Sequence, residues 1–599
     1  MTVAVPAGSN PAGGSPVGGS PAADRPSAAE RAELDALLAE LAEGERRWAA
    51  TPLAERVALL DRVHAAVAAE AESWVRTASR IKQLPADSPF TGEEWMSGPY
   101  ALLTSLDALA RTLRAVDAGR SPLDGARLGQ APGGRVSIPV LPFTAHDRLL
   151  LNGFSAEVWM PPQVDEATVR RQAGLGALAP ERTTGVGLVL GAGNITAIAP
   201  LDVLYELIAH NRVVVLKLNP TLGDLEPVYR RALAPLIEHG VLRIVAGGGE
   251  VGGYLAHHPG VAHVHITGSL ATHDVVAFGP GEEGRARKAA GTPLLDKPMT
   301  SELGGVSPVI VVPGAWSEAD LRYQAEHIVT QRLHNSGHNC IASQLVVVSS
   351  DWPQREAFLD RLRTALRRAP ARPAWYPGSA QRLADAAAAH PGAEWQGAEG
   401  SRLLVDLGDG RGGGEGTDAS VLETTEYFAP VLGVLSLPGT GADFLDRAVE
   451  TANRDLVGTL GANILVDPAT LKGLGRAFDD ALAALRYGTI AVNAWTALGF
   501  LAATAPWGAF PGHTVDDAQS GIGVVHNALL IDGPERTIVR GPFRPCPRSL
   551  AGGEFALFPK PPWFVTARSA ALTGRRITRF AMKPSWARMP AVFAAAYRA

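Results

Sequence analysis

Three side chains in this sequence are of the types that together run acyl chemistry. Cys340 ends the stretch Asn335-Ser-Gly-His-Asn-Cys340, Glu302 opens Glu302-Leu-Gly-Gly-Val-Ser-Pro308, and Asn194 ends Gly191-Ala-Gly-Asn194. A thiol that has lost its proton is a strong nucleophile toward a carbonyl carbon. A carboxylate in reach can activate water, and a carboxamide N–H can stabilise the oxygen charge that develops in between. Each residue also has an ordinary reading: Cys340 as a small core residue, Glu302 as a solvated loop charge, Asn194 as a helix cap. His338 precedes the cysteine by two residues. It could be taken for the base of a cysteine–histidine hydrolase, but on a turn the two side chains need not share a face, and it is read as structural.

The elements that must position these groups follow from the apolar pattern. From Val186 the chain alternates: apolar Val186–Leu190, helical Leu201–His210, apolar Val213–Lys217, helical Leu225–His239, then Leu242–Val245 and Val261–Thr267. Short apolar strands between amphipathic helices specify a parallel sheet covered on both faces. A second series follows the Gly- and charge-rich segment Gly279–Lys297, with Val309–Val312, a helix through Gln331 and strand Leu345–Val348, which sets a domain boundary near residue 300. Ligands of open α/β sheets bind beyond the carboxyl ends of the strands. Gly191 and Asn194 follow the first strand, and Lys217 ends the next, where a cation marks a polar ligand or snorkels at the sheet edge. Glu302 is expected on a glycine-rich turn leading into Val309–Val312, where backbone can approach closely. The segment Gly247–Gly252 fits GxGxxG only weakly and reads as a turn flanking a cofactor's adenosine end.

Ahead of the first strand, Ser27 and Glu30 have capping-box spacing before Leu34, Leu37, Leu38 and Leu41, and Thr51-Pro52 opens a second helix. A helical layer is expected over 27–118, and strands within 135–160 as a hairpin or sheet extension. The first 27 residues hold five Gly, five Pro and four Ser. Residues 1–26 are read as a disordered lead-in rather than a signal peptide. At the other end, residues 535–599 carry 12 Lys plus Arg against Glu535 and Glu554, with Trp563, Phe564, Phe580, Trp586 and Phe593 interleaved. That reads first as a basic arm on its own acidic body or on a partner subunit, and second as a surface for an acidic protein, an anionic membrane or RNA.

Composition narrows the class further. The 599 residues have a net charge of −5, 46% hydrophobic and 19% charged residues, and two cysteines. Two cysteines exclude a disulfide framework and a four-thiolate zinc site, and no metal is expected. Near-neutral charge does not suggest a nucleic-acid binder. The apolar stretch from Ile490 to Phe510 is interrupted by Asn493, Gly499 and Pro506. It reads as buried core rather than a transmembrane segment, so a cytoplasmic protein is expected.

Taken in order, these motifs resemble the aldehyde dehydrogenase superfamily from about Ala50 to Asn527. The resemblance rests on the pre-cysteine Asn335 and Gly337, on the glutamate motif met in full at Glu302–Pro308, and on Asn194 and Lys217. It continues through Ile266-Thr-Gly268-Ser269, Thr425-Glu426-Tyr-Phe428-Ala-Pro430, Tyr487–Asn493 and Ser520–Gly523. It implies a Rossmann-type cofactor domain over 27–300, an α/β catalytic domain over 301–527 and a basic aromatic extension over 528–599. It implies oxidation of a small-molecule aldehyde with NAD or NADP. Cys340 would be the nucleophile, its thiol lowered by the cofactor's positive ring, Asn194 the oxyanion donor and Glu302 the base. Lys217 would hold the adenosine ribose and Glu426 the nicotinamide ribose, with Gly191, Gly268, Ser269 and Phe428 beside the cofactor. A homo-oligomer is implied, dimer or tetramer. Trp495 and Leu498 look like walls of an apolar mouth. Departures are Ala192-Gly193 where the family has Pro-Trp, Pro220 where NAD-preferring members often place Glu, and the tail. The alternatives are a coenzyme A-dependent acyl reductase or acylating dehydrogenase, and a catalytically silent cofactor-binding scaffold acting through its basic tail.

Overall fold

The computed structural model describes residues 25–409 and 419–599. The lead-in expected over 1–26 and the glycine-rich loop Gly408–Gly416 lie outside the described residues, apart from two residues of each.

Ser27 caps the helix Ala28–Ala50: its backbone N–H donates to the Glu30 carboxylate at 2.8 Å, and its hydroxyl accepts from the Glu30 N–H at 3.2 Å. This is the reciprocal pairing that the spacing specifies. Leu34, Leu38, Leu41 and Trp48 form its buried stripe. Leu53–Ile81 follows, with Val57, Leu60, Val63 and Val67 buried, and Ala101–Asp117 packs beside it. While Leu53–Ile81 packs on helices of the next layer, Ala28–Ala50 lies directly on a sheet that, among the described residues, has six strands. Their order is Gly521–Ile522, Met299–Leu303, His263–Gly268, Val186–Leu190, Val213–Lys217, Leu242–Val245, all parallel except the first pair. The helix expected over Leu225–His239 is interrupted, as a 3-10 turn Pro220–Leu225 and two helices, Glu226–Ala232 and Ala234–Glu238. Pro235 has no N–H to continue the ladder and sits at the start of the second piece instead.

The second sheet has eleven strands among the described residues. Its parallel centre runs Arg536–Arg540, Thr489–Val492, Gly461–Leu465, Pro308–Val311, Leu345–Ser349, Val431–Leu437, Arg402–Asp406, with antiparallel strands at both edges. One edge is Ser155–Trp159, Arg135–Leu141 and Gly129–Ala131, so the strands expected within 135–160 extend this sheet and not the six-stranded one. They join it because Arg536–Arg540 lies between them and Thr489–Val492. That strand falls inside the stretch expected as an extension over 528–599, yet Ile538 and Val539 are fully buried in the sheet. The chain crosses between the two sheets over Gly304–Ser307. The stretch from Ile490 to Phe510 is a strand, a short helix and a turn, mostly buried, and no helix among the described residues is long and apolar enough to cross a membrane.

Beyond Arg540 the chain closes on its own body through the helices Arg548–Ala551, Ala570–Met582 and Met589–Ala596. Arg544 and Arg548 pair with Asp320, Lys560 with Glu326 at 2.6 Å, and Arg575 and Arg579 with Glu72 at 2.8 and 3.1 Å.

A chain ending at residue 534 should therefore not accumulate in soluble form. Without Arg536–Arg540 two strands of the second sheet lose their partner and expose unpaired edges. Soluble yield and far-UV circular dichroism, set beside the full chain, measure this, and equal yields would contradict the topology.

Candidate active site

Cys340 is delivered by an abrupt reversal. The helix Glu318–Leu333 begins with reciprocal Ser317–Asp320 bonds and stops at His334. Asn335, Ser336 and Gly337 then take φ of 53°, 57° and 78° in succession. Side chains rarely adopt this region, so the surroundings must hold the turn in place. Arg332, buried, donates to the carbonyls of Gly337 at 2.9 Å and Ala342 at 3.1 Å, on either side of the cysteine. The Asn335 amide donates to the carbonyls of His338 at 3.0 Å and Asn194 at 3.3 Å, and its oxygen accepts from Trp375 Nε1 at 3.2 Å. The Asn335 backbone N–H donates to Glu93 at 2.9 Å. Burial works to raise the pKa of Glu93, but the Arg372 guanidinium, at 2.8 and 2.7 Å from its two oxygens, outweighs it and holds the carboxyl lowered.

Three of the expected groups meet here. The Cys340 thiol and the Glu302 carboxyl lie close enough that each shifts the titration of the other. Asn194, 7% exposed, donates through Nδ2 to the His338 carbonyl at 3.0 Å, two residues from the thiol. Glu302 lies in the strand Met299–Leu303, between Thr267 and Gly521, and not on the turn expected for it. Its Oε1 accepts from Trp507 Nε1 at 2.9 Å. Burial raises the Glu302 pKa to about 7, the Trp507 and Cys340 bonds opposing, with the Asp202 charge adding to the rise. The thiol also moves up: burial, the Glu302 charge and the more distant Glu426 charge all disfavour a thiolate. The protein alone thus raises the thiol, opposite to the lowering expected with a cationic ring beside it, because its charged neighbours are carboxyls.

Glu426 joins from the second sheet. Burial and the Glu302 charge raise it to about 8 against the pull of Arg332 and Arg382, and its Oε1 is buried without a hydrogen-bond partner. A Cβ on Gly304 would stand 1.9 Å from that oxygen, so the first glycine after the Glu302-Leu pair makes room for Glu426. Phe428 packs on His338 and Tyr376, with ring centroids 5.7 and 5.0 Å away. His338 is buried, bonded to Ser379 at 2.9 Å and pushed far down by burial and surrounding guanidinium groups, which leaves it neutral and structural.

The remaining expected residues line the carboxyl ends of the cofactor sheet. Lys217 ends its strand at 8% exposure, its ammonium lowered by burial with the Glu250 charge opposing. The Gly191 N–H donates to the Lys217 carbonyl at 3.0 Å. Gly268 ends its strand, and Ser269 caps the helix Leu270–Phe278. The turn at Gly247–Gly252 starts the helix Gly249–Ala256, and a Cβ on Gly252 would touch Lys217 Cε at 4.0 Å.

Cys340, Trp495 and Leu498 share a cavity of about 620 Å³, with Phe500 and Trp507 beside them. Trp495 lies edge-on to His334 with centroids 4.9 Å apart. Sequence reading missed Glu93, Arg332, Arg372 and Trp507. Among many similar residues a buried charge carries no local mark, and only the consecutive polar residues before Cys340 hint that such a turn needs outside support.

Set against known proteins, the family described as "Aldehyde dehydrogenase family" matches residues 160–510, more than half of the chain. Among curated proteins, aminoacetaldehyde dehydrogenase of Pseudomonas aeruginosa is 35% identical over 132 residues, 22% of this chain and 23% of that protein. The match thus spans about a quarter of that relative's length. Among solved structures, a putative aldehyde dehydrogenase from Burkholderia cenocepacia superposes with a TM-score of 0.54 at 23% identity, over 85% of this chain and 91% of that one. An NADP-dependent glyceraldehyde-3-phosphate dehydrogenase from Bacillus halodurans, complexed with NADP, gives 0.56 at 18% identity over 85% and 91%. At such identities the structures establish the fold.

Arg372→Met leaves the Glu93 carboxylate buried beneath the Cys340 turn without its guanidinium partner. It should destabilise the protein by about 3–5 kcal/mol and slow alkylation of Cys340 by a thiol reagent. Chemical denaturation and labelling kinetics of the full chain measure both.

Proposed function

The chain belongs to the aldehyde dehydrogenase family, and from that premise we propose that it oxidises an aldehyde to the carboxylic acid with NAD or NADP, through Cys340. The observation that carries this reading is the proximity of Cys340 and Glu302: a nucleophile on a turn that lines the cavity, and a proton acceptor on a strand behind it.

The residues fit a nicotinamide cofactor. The orphaned Oε1 of Glu426 is a buried acceptor awaiting a hydroxyl. Lys217 supplies a donor at a carboxyl strand end, and the first-turn amides of Leu270–Phe278 suit a phosphate. When bound, the cofactor supplies the hydride acceptor that converts a thiohemiacetal on Cys340 into a thioester.

Every other step falls to the chain. As Cys340 attacks the aldehyde carbon, its proton passes to Glu302, the neighbouring carboxyl. The oxygen charge that builds up is met by the Asn194 amide, tied to the nucleophile turn, and by the Cys340 backbone N–H. Removing one such donor costs roughly 10²–10³-fold in rate. Glu302 must then shed the proton before it can take another from the water that cleaves the thioester. Its raised pKa suits both roles, since near pH 7 it exchanges protons in either direction. The intact Glu302 motif favours water over coenzyme A as the acceptor. A cytoplasmic homo-oligomer goes with this reading.

Cys340→Ala should abolish NAD(P)-linked aldehyde oxidation, and Glu302→Gln should keep a pre-steady-state burst of reduced cofactor while turnover slows. Unchanged steady-state rates in either variant would remove the assignment. Because only the carboxylate form of Glu302 can act on water, turnover should rise with pH through about 7, and Glu302→Gln should erase that limb. With Pro220 where an acid would repel a 2′-phosphate, NADP should be turned over at a measurable rate beside NAD. Adding coenzyme A should change neither rate.

A further inference from the structure

The cavity that ends at Cys340 has a second builder. Besides Trp495, Leu498 and Phe500, its wall includes Trp563, Phe564, Ile577, Phe580 and Val592, all from the segment after Arg540. The basic and aromatic residues interleaved there separate in space. Arg544, Arg548, Lys560, Arg575 and Arg579 pair with Asp320, Glu326 and Glu72 on the body, while these apolar side chains line the hollow.

The wall is firmly seated. The helix Ala570–Met582 lies so close to Thr91–Trp95 that a Cβ on Gly92 would come within 2.4 Å of the Ala570 carbonyl carbon, and one on Gly574 within 2.9 Å of the Gly92 oxygen. At the outer end of the cavity stand exposed Arg111, Phe143 and Trp586, with Trp586 against His146 at 4.4 Å between centroids. The hollow therefore runs from the thiol to a solvent-facing rim. Its inner charged group, Glu93, is engaged by Arg372. The other charged side chains on its wall are engaged as well, Arg111 with Asp107 at 2.7 Å and Asp147 in the capping box of Thr144, and the rest of the lining is mostly apolar. At about 620 Å³ the cavity falls in the size range of pockets that bury most of a small organic ligand.

We propose, building on the reading of Cys340 as nucleophile, that the substrates are long-chain aliphatic aldehydes, and that residues 541–599 form the wall that selects them. The carbonyl end reaches Cys340 and Asn194, and the hydrocarbon tail lies against Ile577, Phe580 and Val592.

The test compares propanal, hexanal and dodecanal on the full chain and on Ile577→Trp and Val592→Phe. It also measures calorimetric binding of dodecan-1-ol, which needs no chemistry. Burial of each methylene should raise kcat/KM by roughly two- to fourfold, so dodecanal should exceed propanal by orders of magnitude. The two variants should cut the dodecanal-to-propanal ratio at least tenfold and weaken dodecan-1-ol binding in step. A flat or falling chain-length series overturns the proposal, as does a rising series that neither variant alters. If no aldehyde is oxidised while dodecan-1-ol binds and the variants weaken it, the oxidation reading fails and the hydrocarbon site stands. Absence of dodecan-1-ol binding removes the site itself.

Discussion

A thiol on the turn ahead of one sheet lies beside a carboxyl on a strand of the other, and the rest of the molecule is arranged so that this proximity persists. Neither group can be placed by local propensity. Cys340 follows three successive left-handed residues, and Glu302 sits in a strand whose neighbour on one side, Gly521, arrives from far along the chain. The backbone strain at Asn335 and Ser336 is offset by groups drawn from elsewhere in the fold: Arg332 on two carbonyls, Glu93 on an amide, Trp375 on the Asn335 oxygen. Burying these charges carries a large desolvation cost, and pairing makes it tolerable while fixing the geometry. The same dry environment raises Glu302 and Glu426, so the site rests with its acids poised to exchange protons rather than permanently ionised.

Much of this was legible in the sequence. Continuous apolar runs gave the strands Val186–Leu190, Val213–Lys217 and Leu242–Val245 with their observed bounds, because a strand buried on both faces leaves no other residue choice. The capping pair Ser27–Glu30 was equally readable, since its geometry depends on four consecutive residues. Glycines were partly readable. The pair after Glu302-Leu signals close approach, but that Glu426 is what approaches Gly304 emerges only when two remote segments fold together. The strand Arg536–Arg540 escaped notice because it is bracketed by arginines. Arg536 is buried all the same, donating to the carbonyls of Leu482 and Leu485 and paired with Glu535.

The tail shows how charge pattern and apolar pattern can serve different surfaces of one segment. Read as a line of residues, alternating basic and aromatic side chains suggest a surface for an external anion. In the folded chain five of the long basic side chains reach acids on the same molecule while Phe564 and Phe580 are buried. Arg544 and Arg548 converge on Asp320, the residue that also closes the capping box of the helix leading to Cys340. The tail and the helix that leads to Cys340 are therefore joined through one shared carboxylate.

The position of Arg536–Arg540 also bears on how the molecule is made. Ser155–Trp159 pairs with it in register, Trp159 opposite Arg536, yet ribosomes at ~5–20 residues per second would synthesise the two roughly 20–75 s apart. Throughout that interval the early hairpin is a nascent edge with an apolar face and no mate. The cofactor sheet, whose strands from Val186 to Leu303 are nearly contiguous in the chain, can condense meanwhile. Closure of the second sheet is thus a late, long-range event, and it is the stage at which a chaperone holding the emerging chain would matter most.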